Sequence, residues 1–140
     1  MIRAFAILVS FAVVTLAGCA SNASVASLSS EQRQRVAELV EFPSGSLPRE
    51  SYQIVGSAKG LACKRNLYAS GKPSMEEAQQ GVRIRAALMG ADAVTNVLCE
   101  DKQEVDWGSN CWQTVVCVGD AITVTDKSIL RRPAASPAPQ

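Results

Sequence analysis

The chain has 140 residues, with 14 basic side chains, 13 acidic side chains and no histidine. If residues 1–18 are removed with their Arg3, the mature side chains sum to zero charge, and we predict no nucleic-acid partner. The absence of histidine excludes Ser-His and Cys-His nucleophiles and every histidine-containing metal site. Because nucleophile, base and orienting group do not occur together in any motif, the sequence favours a non-enzymatic protein without metal or cofactor.

The N-terminal residues have the pattern of a secretory signal that ends at a lipidated cysteine. Arg3 precedes a largely apolar run of 13 residues, Ala4 to Leu16, which is too short to span a bilayer. The small residues before Cys19 then resemble the lipobox of bacterial lipoproteins. We therefore predict a lipoprotein signal peptide over residues 1–18 and a lipid anchor on Cys19. Ala20 stands where an aspartate would retain a lipoprotein in the inner membrane, which predicts the outer membrane, with the domain in the periplasm.

The mature chain divides into three predicted segments. They are a lipidated N-terminus with a tether over 19–50, a globular domain over 51–130 and a disordered, proline-rich tail over 131–140. Within the tether, Ser29 begins a weak capping box before a short helical pattern over Glu31–Glu41. Such a tether would let the domain stand away from the membrane without one fixed orientation.

One helix is strongly indicated inside the predicted domain. Ser74 and Glu77 form a capping box, and Gly90 supplies a left-handed stop. Between them apolar residues recur at spacings of three and four, at Met75, Ala78, Val82, Ala86 and Met89. Glu76 and Glu77 are explained as charges favoured at a helix N-terminus rather than as catalytic carboxylates.

Four strand-like runs accompany this helix, over 52–58, 91–99, 112–118 and 121–125. Gly60 bounds the first of them. The connection from the first run through the helix to the second is too long for a hairpin and suits a right-handed parallel crossover. The predicted fold class is therefore α/β (α+β), a small mixed sheet of about four strands with one principal helix.

The cysteines after the lipidation site number four: Cys63, Cys99, Cys111 and Cys117. An even number in a small exported domain predicts two disulfides, and the spacing lacks the short C-x2-C pair of zinc and thioredoxin-like sites. If 112–118 is extended, Cys111 and Cys117 lie about 20 Å apart and cannot pair with each other. Two pairings stay open: Cys63 with Cys111 and Cys99 with Cys117, or Cys63 with Cys117 and Cys99 with Cys111.

Motifs spread along the chain form a set with the four cysteines. The set comprises the lipobox at Cys19, Gln53-Ile54-Val55-Gly56, Cys63 before the helix, Arg85 to Val94, Cys99, and the ending Cys111 to Ala121 with its Cys-x-Gly-x-Ala. Together these motifs resemble the RcsF family of outer-membrane lipoproteins, which sense envelope stress for the Rcs phosphorelay. The match covers about residues 52–125, and most of its specificity lies in the four cysteines and the Cys-x-Gly-x-Ala ending.

The resemblance carries implications for the disulfides and the partners. In that family the disulfides interlock, first cysteine with third and second with fourth, which implies Cys63 with Cys111 and Cys99 with Cys117. It also implies an inner-membrane regulator, and outer-membrane barrel proteins that the family's long, basic, proline-rich tether is thought to thread. The tether of this chain is shorter and contains only Pro43 and Pro48.

Two tryptophans flank an acidic, turn-rich segment, Glu100 to Asn110. Trp107 and Trp112 could anchor a protein contact, since exposed aromatic residues often do so. The alternative is that a tryptophan covers a disulfide beside a solvated acidic loop, and we favour that reading.

Three hypotheses of function follow. The first is an outer-membrane-anchored periplasmic lipoprotein that senses envelope stress and signals by protein contact. The second is a structural or assembly-related envelope lipoprotein without a signalling role. The third, a thiol-redox enzyme, requires a disulfide that is reduced under mild conditions.

Overall fold

The computed structural model describes residues 25–66, 68, 70–102 and 110–131. The regular elements are α1 (Ser30–Glu38), β1 (Val40–Phe42), β2 (Tyr52–Lys64), α2 (Met75–Leu88), β3 (Ala93–Lys102) and β4 (Gln113–Val124). Short 3-10 turns lie at Val25–Ser27, Arg49–Ser51 and Lys127–Arg131. The signal peptide, Cys19, Trp107 and all of the predicted tail except Arg131 lie outside the described residues.

The strands form one mixed sheet in the order β1-β3-β4-β2. β4 pairs antiparallel with both β2 and β3, whereas β1 pairs parallel with β3. The fold is therefore α+β, with a four-stranded mixed sheet, as the sequence predicted. The predicted crossover from β2 through α2 to β3 joins strands that run in the same direction, but these strands do not pair because β4 lies between them.

The ends of α2 follow the predicted signals. The Ser74 hydroxyl oxygen accepts a hydrogen bond from the Glu77 amide at 3.4 Å. The same hydroxyl donates to the carboxylate of Glu76, and this hydrogen bond lowers the pKa of Glu76 below its usual value. Gly90 follows the helix at φ +78°, and its amide donates to the Ala87 carbonyl oxygen, so the left-handed stop is confirmed.

The buried side of α2 is wider than the predicted apolar stripe. Three members of that stripe are fully buried: Ala78, Val82 and Ala86. Met75 and Met89, at the two ends of the stripe, are instead 49% and 41% exposed. Ile84 lies off the stripe and is also buried, in the same core cluster as Val36 of α1, a helix that packs against α2.

The predicted tether over 19–50 was wrong for its C-terminal part, because α1 belongs to the domain. The Ser29 capping box is present, but the helix it begins ends at Glu38, three residues earlier than predicted. Val36 and Leu39 are buried in the core beneath α2. The Arg83 guanidinium also donates to the Leu39 carbonyl oxygen at 3.0 Å. A nine-residue helix is marginal alone, and these tertiary contacts stabilise it.

A strand that the sequence analysis missed follows α1. β1 pairs with the start of β3, and Phe42 is buried with Ile122 and Val124 on the face of the sheet opposite α2. The 3-10 turn at 127–131 packs on the same cluster. The domain therefore extends N-terminally beyond the boundary predicted at residue 51 and includes the described residues 25–50 that pack on its two core clusters.

β4 is one continuous strand, and the prediction of two strands separated at Gly119 was wrong. A Cβ at Gly119 would lie 2.9 Å from a methyl group of Val94 and 3.0 Å from one of Val97. Side chains of β3 thus occupy the space above this glycine, which is buried within the sheet. Gly119 serves close packing rather than a turn.

β2 also continues past Gly60, where the sequence analysis ended it. A Cβ at Gly60 would lie 1.8 Å from the Ala78 carbonyl oxygen and 2.5 Å from the Val82 amide nitrogen. A Cβ at Gly81 would in turn lie 2.8 Å from the Cα of Gly60. The two glycines let α2 cross β2 backbone to backbone.

Candidate functional site

Two disulfides join Cys63 to Cys111 and Cys99 to Cys117, with Cα–Cα distances of 5.5 and 4.0 Å. They interlock along the chain, first cysteine with third and second with fourth. This confirms the pairing that the resemblance implied and that spacing alone left open.

The two disulfides fix different parts of the sheet. Cys99 and Cys117 are direct cross-strand partners in β3 and β4, and they pack with the core under α2. The Cys63–Cys111 disulfide instead joins the end of β2 to the residues just before β4. Beside it, the Trp112 amide donates to the Lys64 carbonyl oxygen at 2.8 Å. Together the disulfides hold β2, β3 and β4 at the end of the sheet where α2 begins.

The predicted tryptophan contact is only partly described. Trp112 is half-buried rather than fully exposed, and it lies next to the Cys63–Cys111 disulfide. Trp107 lies outside the described residues. Glu100 and Asp101, predicted to open the acidic loop, are instead the last part of β3. Trp112 thus does not stand out as an exposed anchor.

An apolar surface lies on the face of the sheet opposite α2. Cys117 points into the core under α2, so its neighbours Val116 and Val118 point to the other face. Leu98 of β3 is the cross-strand partner of Val118, and the two side chains are 74% and 40% exposed. Leu61 of β2 is the partner of Val116. We call these four residues, Leu61, Leu98, Val116 and Val118, the outer patch.

Charged and polar side chains surround the outer patch. Lys59 is exposed beside Val118 in the sheet register, and Glu100 is exposed beside Val116. Lys102 lies 3.7 Å from Glu100, an exposed ion pair that contributes little to stability. An apolar centre with a charged rim is the usual arrangement of a protein-contact surface.

A groove of about 690 Å³ lies between α1 and α2. Charged side chains of both signs line it: Arg33, Glu41, Glu76, Glu77 and Arg83. Arg83 is engaged there, because its guanidinium donates to backbone carbonyl oxygens at the end of α1. Over 25–66, 68, 70–102 and 110–131, no cluster of three or more cysteine and acidic side chains could hold a metal ion. In the same ranges no helix has the length and hydropathy needed to cross a membrane.

Neither the protein-family models nor the curated proteins contain a match to this chain. Within the part of the chain that the structure describes, the outer patch and the two disulfides are the features with a clear physical role.

Sequence reasoning identified the disulfides but missed the outer patch. The run Val97-Leu98-Cys99 is apolar throughout, so alternation did not show which side chain is exposed. The pairing of β3 with β4 shifts register between Thr95 and Leu98, and Asn96, within this shift, has a φ of +55°. This irregularity determines which side chains of the run face outward. The cysteines could have indicated the outer patch. Cys99 and Cys117 are bonded to each other on one face of β3 and β4, so their neighbours Leu98 and Val118 lie together on the opposite face.

Proposed function

We propose that this protein is an outer-membrane-anchored periplasmic lipoprotein that senses envelope stress and signals by protein contact to an Rcs-type phosphorelay. The observation that carries the proposal is the interlocked pairing of Cys63 with Cys111 and of Cys99 with Cys117. Geometry left two pairings open, and the one present is that of the family the sequence resembles. The lipobox-like junction before Cys19 supports the membrane anchor.

The outer patch is the surface that best fits a signalling contact. Leu98 is the most exposed large aliphatic side chain among the described residues, and it lies on a strand rather than in a loop. The disulfide at Cys99, next to it, keeps this strand in register with β4. A rigid apolar surface loses little conformational entropy on binding. The proposed occupant is the periplasmic domain of an inner-membrane regulator of the Rcs type.

Replacing Cys19 with alanine tests the anchor. The variant lacks the thiol that receives the lipid, so we expect it to leave the outer-membrane fraction and appear in the soluble periplasmic fraction. Cell fractionation with detection of the protein measures this. A variant that still fractionates with the outer membrane would show that the attachment is not through Cys19.

Replacing Leu98 with glutamate tests the outer patch. We expect at least a tenfold loss of affinity for the regulator, about 1.4 kcal/mol, because a charge replaces the most exposed apolar side chain of the patch. The matched control is Leu88→Glu, since Leu88 is also exposed but lies on α2, away from the patch. Binding to the purified periplasmic domain of the regulator and the response of an Rcs-dependent reporter are the measurements.

Equal losses in the two variants would contradict a specific role for the outer patch. Retention of the wild-type protein by an envelope-assembly complex, with no binding to the regulator, would favour the structural alternative over signalling.

A further inference from the structure

The domain begins only a few residues after the proposed lipidation site. Val25, in the first 3-10 turn, packs against the core under α2, and Leu28 is 7% exposed in the same core. The Arg33 guanidinium donates to the Leu28 carbonyl oxygen at 2.9 Å, which joins this segment to α1. Five residues, 20–24, therefore lie between Cys19 and Val25, the first described residue that packs against the core.

This short segment has a small maximum reach. Fully extended, the six Cα–Cα steps from Cys19 to Val25 span at most about 20 Å. The apolar band of an outer-membrane barrel is about 25 Å tall, so the segment could not thread such a barrel with its lipid at the far side. A longer segment would require the release of Val25 and of the buried Leu28 from the core. The short segment therefore argues against the barrel-threading partner that the resemblance implied.

The segment also leaves from a defined side of the domain. Val25 lines the groove between α1 and α2, and Leu28 is buried in the core beneath the helices, whereas the outer patch lies on the opposite face of the sheet. A path from Val25 past a helix layer of about 10–12 Å and a sheet layer of about 10 Å would use the whole reach of about 20 Å. Too little chain would remain to reach the bilayer from the far side.

We infer that a lipid on Cys19 holds the helical side of the domain toward the phospholipid surface and presents the outer patch to the aqueous periplasm. This inference rests on the lipid anchor of the proposed function and adds its geometry. The orientation comes from the length and exit point of the segment rather than from lipid charge, because acidic and basic side chains both line the groove beside Val25. We therefore expect it on neutral membranes as well.

Short-range fluorescence quenching tests the orientation. Lipidated protein purified from envelopes is incorporated into phosphatidylcholine vesicles that carry a head-group quencher. A genetically encoded fluorescent residue, which leaves the disulfides intact, replaces either Gln80 on α2 or Lys59 beside the outer patch; both positions are exposed. Because two layers of structure separate the positions, we expect at least about twofold stronger quenching at 80 than at 59.

The control inserts 30 glycine and serine residues between Ser24 and Val25, which should remove the difference between the two positions. Equal quenching at 80 and 59 in acylated protein with the native segment would overturn the orientation alone. Mass spectrometry that finds no acyl chain on Cys19 would overturn the proposed anchor and this inference with it. The two failures are thus distinguishable.

Discussion

Replacing Cys99 and Cys117 together with alanine is expected to lower the free energy of unfolding by about 3 kcal/mol. Replacing Cys63 and Cys111 together with alanine is expected to lower the free energy of unfolding by about 4 kcal/mol, because that disulfide closes the longer loop. The sequence separations are 18 and 48 residues, and the loss of chain entropy in the unfolded state grows with loop length. A small domain of this kind has a total stability of roughly 5–15 kcal/mol, so either loss is a large fraction of it.

Urea unfolding monitored by circular dichroism measures these differences. The control is Val118→Thr, which changes an exposed side chain next to Cys117 and should alter the free energy of unfolding by less than about 0.5 kcal/mol. Two double variants that both lose less than about 1 kcal/mol would show that the core is sufficient without its disulfides. The two effects should also sum to more than the loss on removing both disulfides, since the closed loops overlap.

Replacing Gly60 with alanine is expected to destabilise the domain by roughly 3 kcal/mol. The added methyl group would meet backbone atoms of α2, at 1.8 Å from the Ala78 carbonyl oxygen. Backbone atoms cannot rotate away as the end of a side chain can, so α2 must move off the sheet. Such a movement opens the packing of Val82, which is 1% exposed.

Gly56→Ala, on the same strand, is the matched control. There the new methyl group would meet only the end of the Met89 side chain, with the sulfur atom at 3.3 Å, and Met89 is partly exposed and can change its rotamer. We expect a change of less than about 1 kcal/mol, with either sign, because alanine also suits a strand better than glycine. Thermal unfolding of the two variants side by side is the measurement. Similar melting temperatures would contradict a backbone-to-backbone crossing at Gly60.

Sequence reasoning was most successful where local chemistry determines structure. Ser74 and Gly90 mark the ends of α2 through hydrogen bonds that involve neighbouring residues, so no tertiary information was needed. The four cysteines were paired correctly only with the help of the resemblance. Spacing constrains how far apart two cysteines lie within a strand, but not which strands are neighbours.

It was wrong where a glycine has a tertiary role. Gly60 and Gly119 look like strand ends in the sequence, yet both lie inside long strands where another element comes close. The short β1 was missed because three residues give no reliable alternation, and its pairing with β3 depends on contacts made far along the chain. The prediction of a tether over residues 30–38 was wrong for the same reason, since Val36 is buried by contacts with α2, which lies far along the chain.

Interlocked disulfides have a consequence for proteolysis of this domain. A single peptide-bond cleavage anywhere between Cys63 and Cys111 leaves two fragments that the first bridge still holds together. A cleavage between Cys111 and Cys117 leaves fragments joined by the second bridge. One cleavage between Cys63 and Cys117 therefore releases no fragment, so a cleaved molecule can keep its fold until the disulfides are reduced.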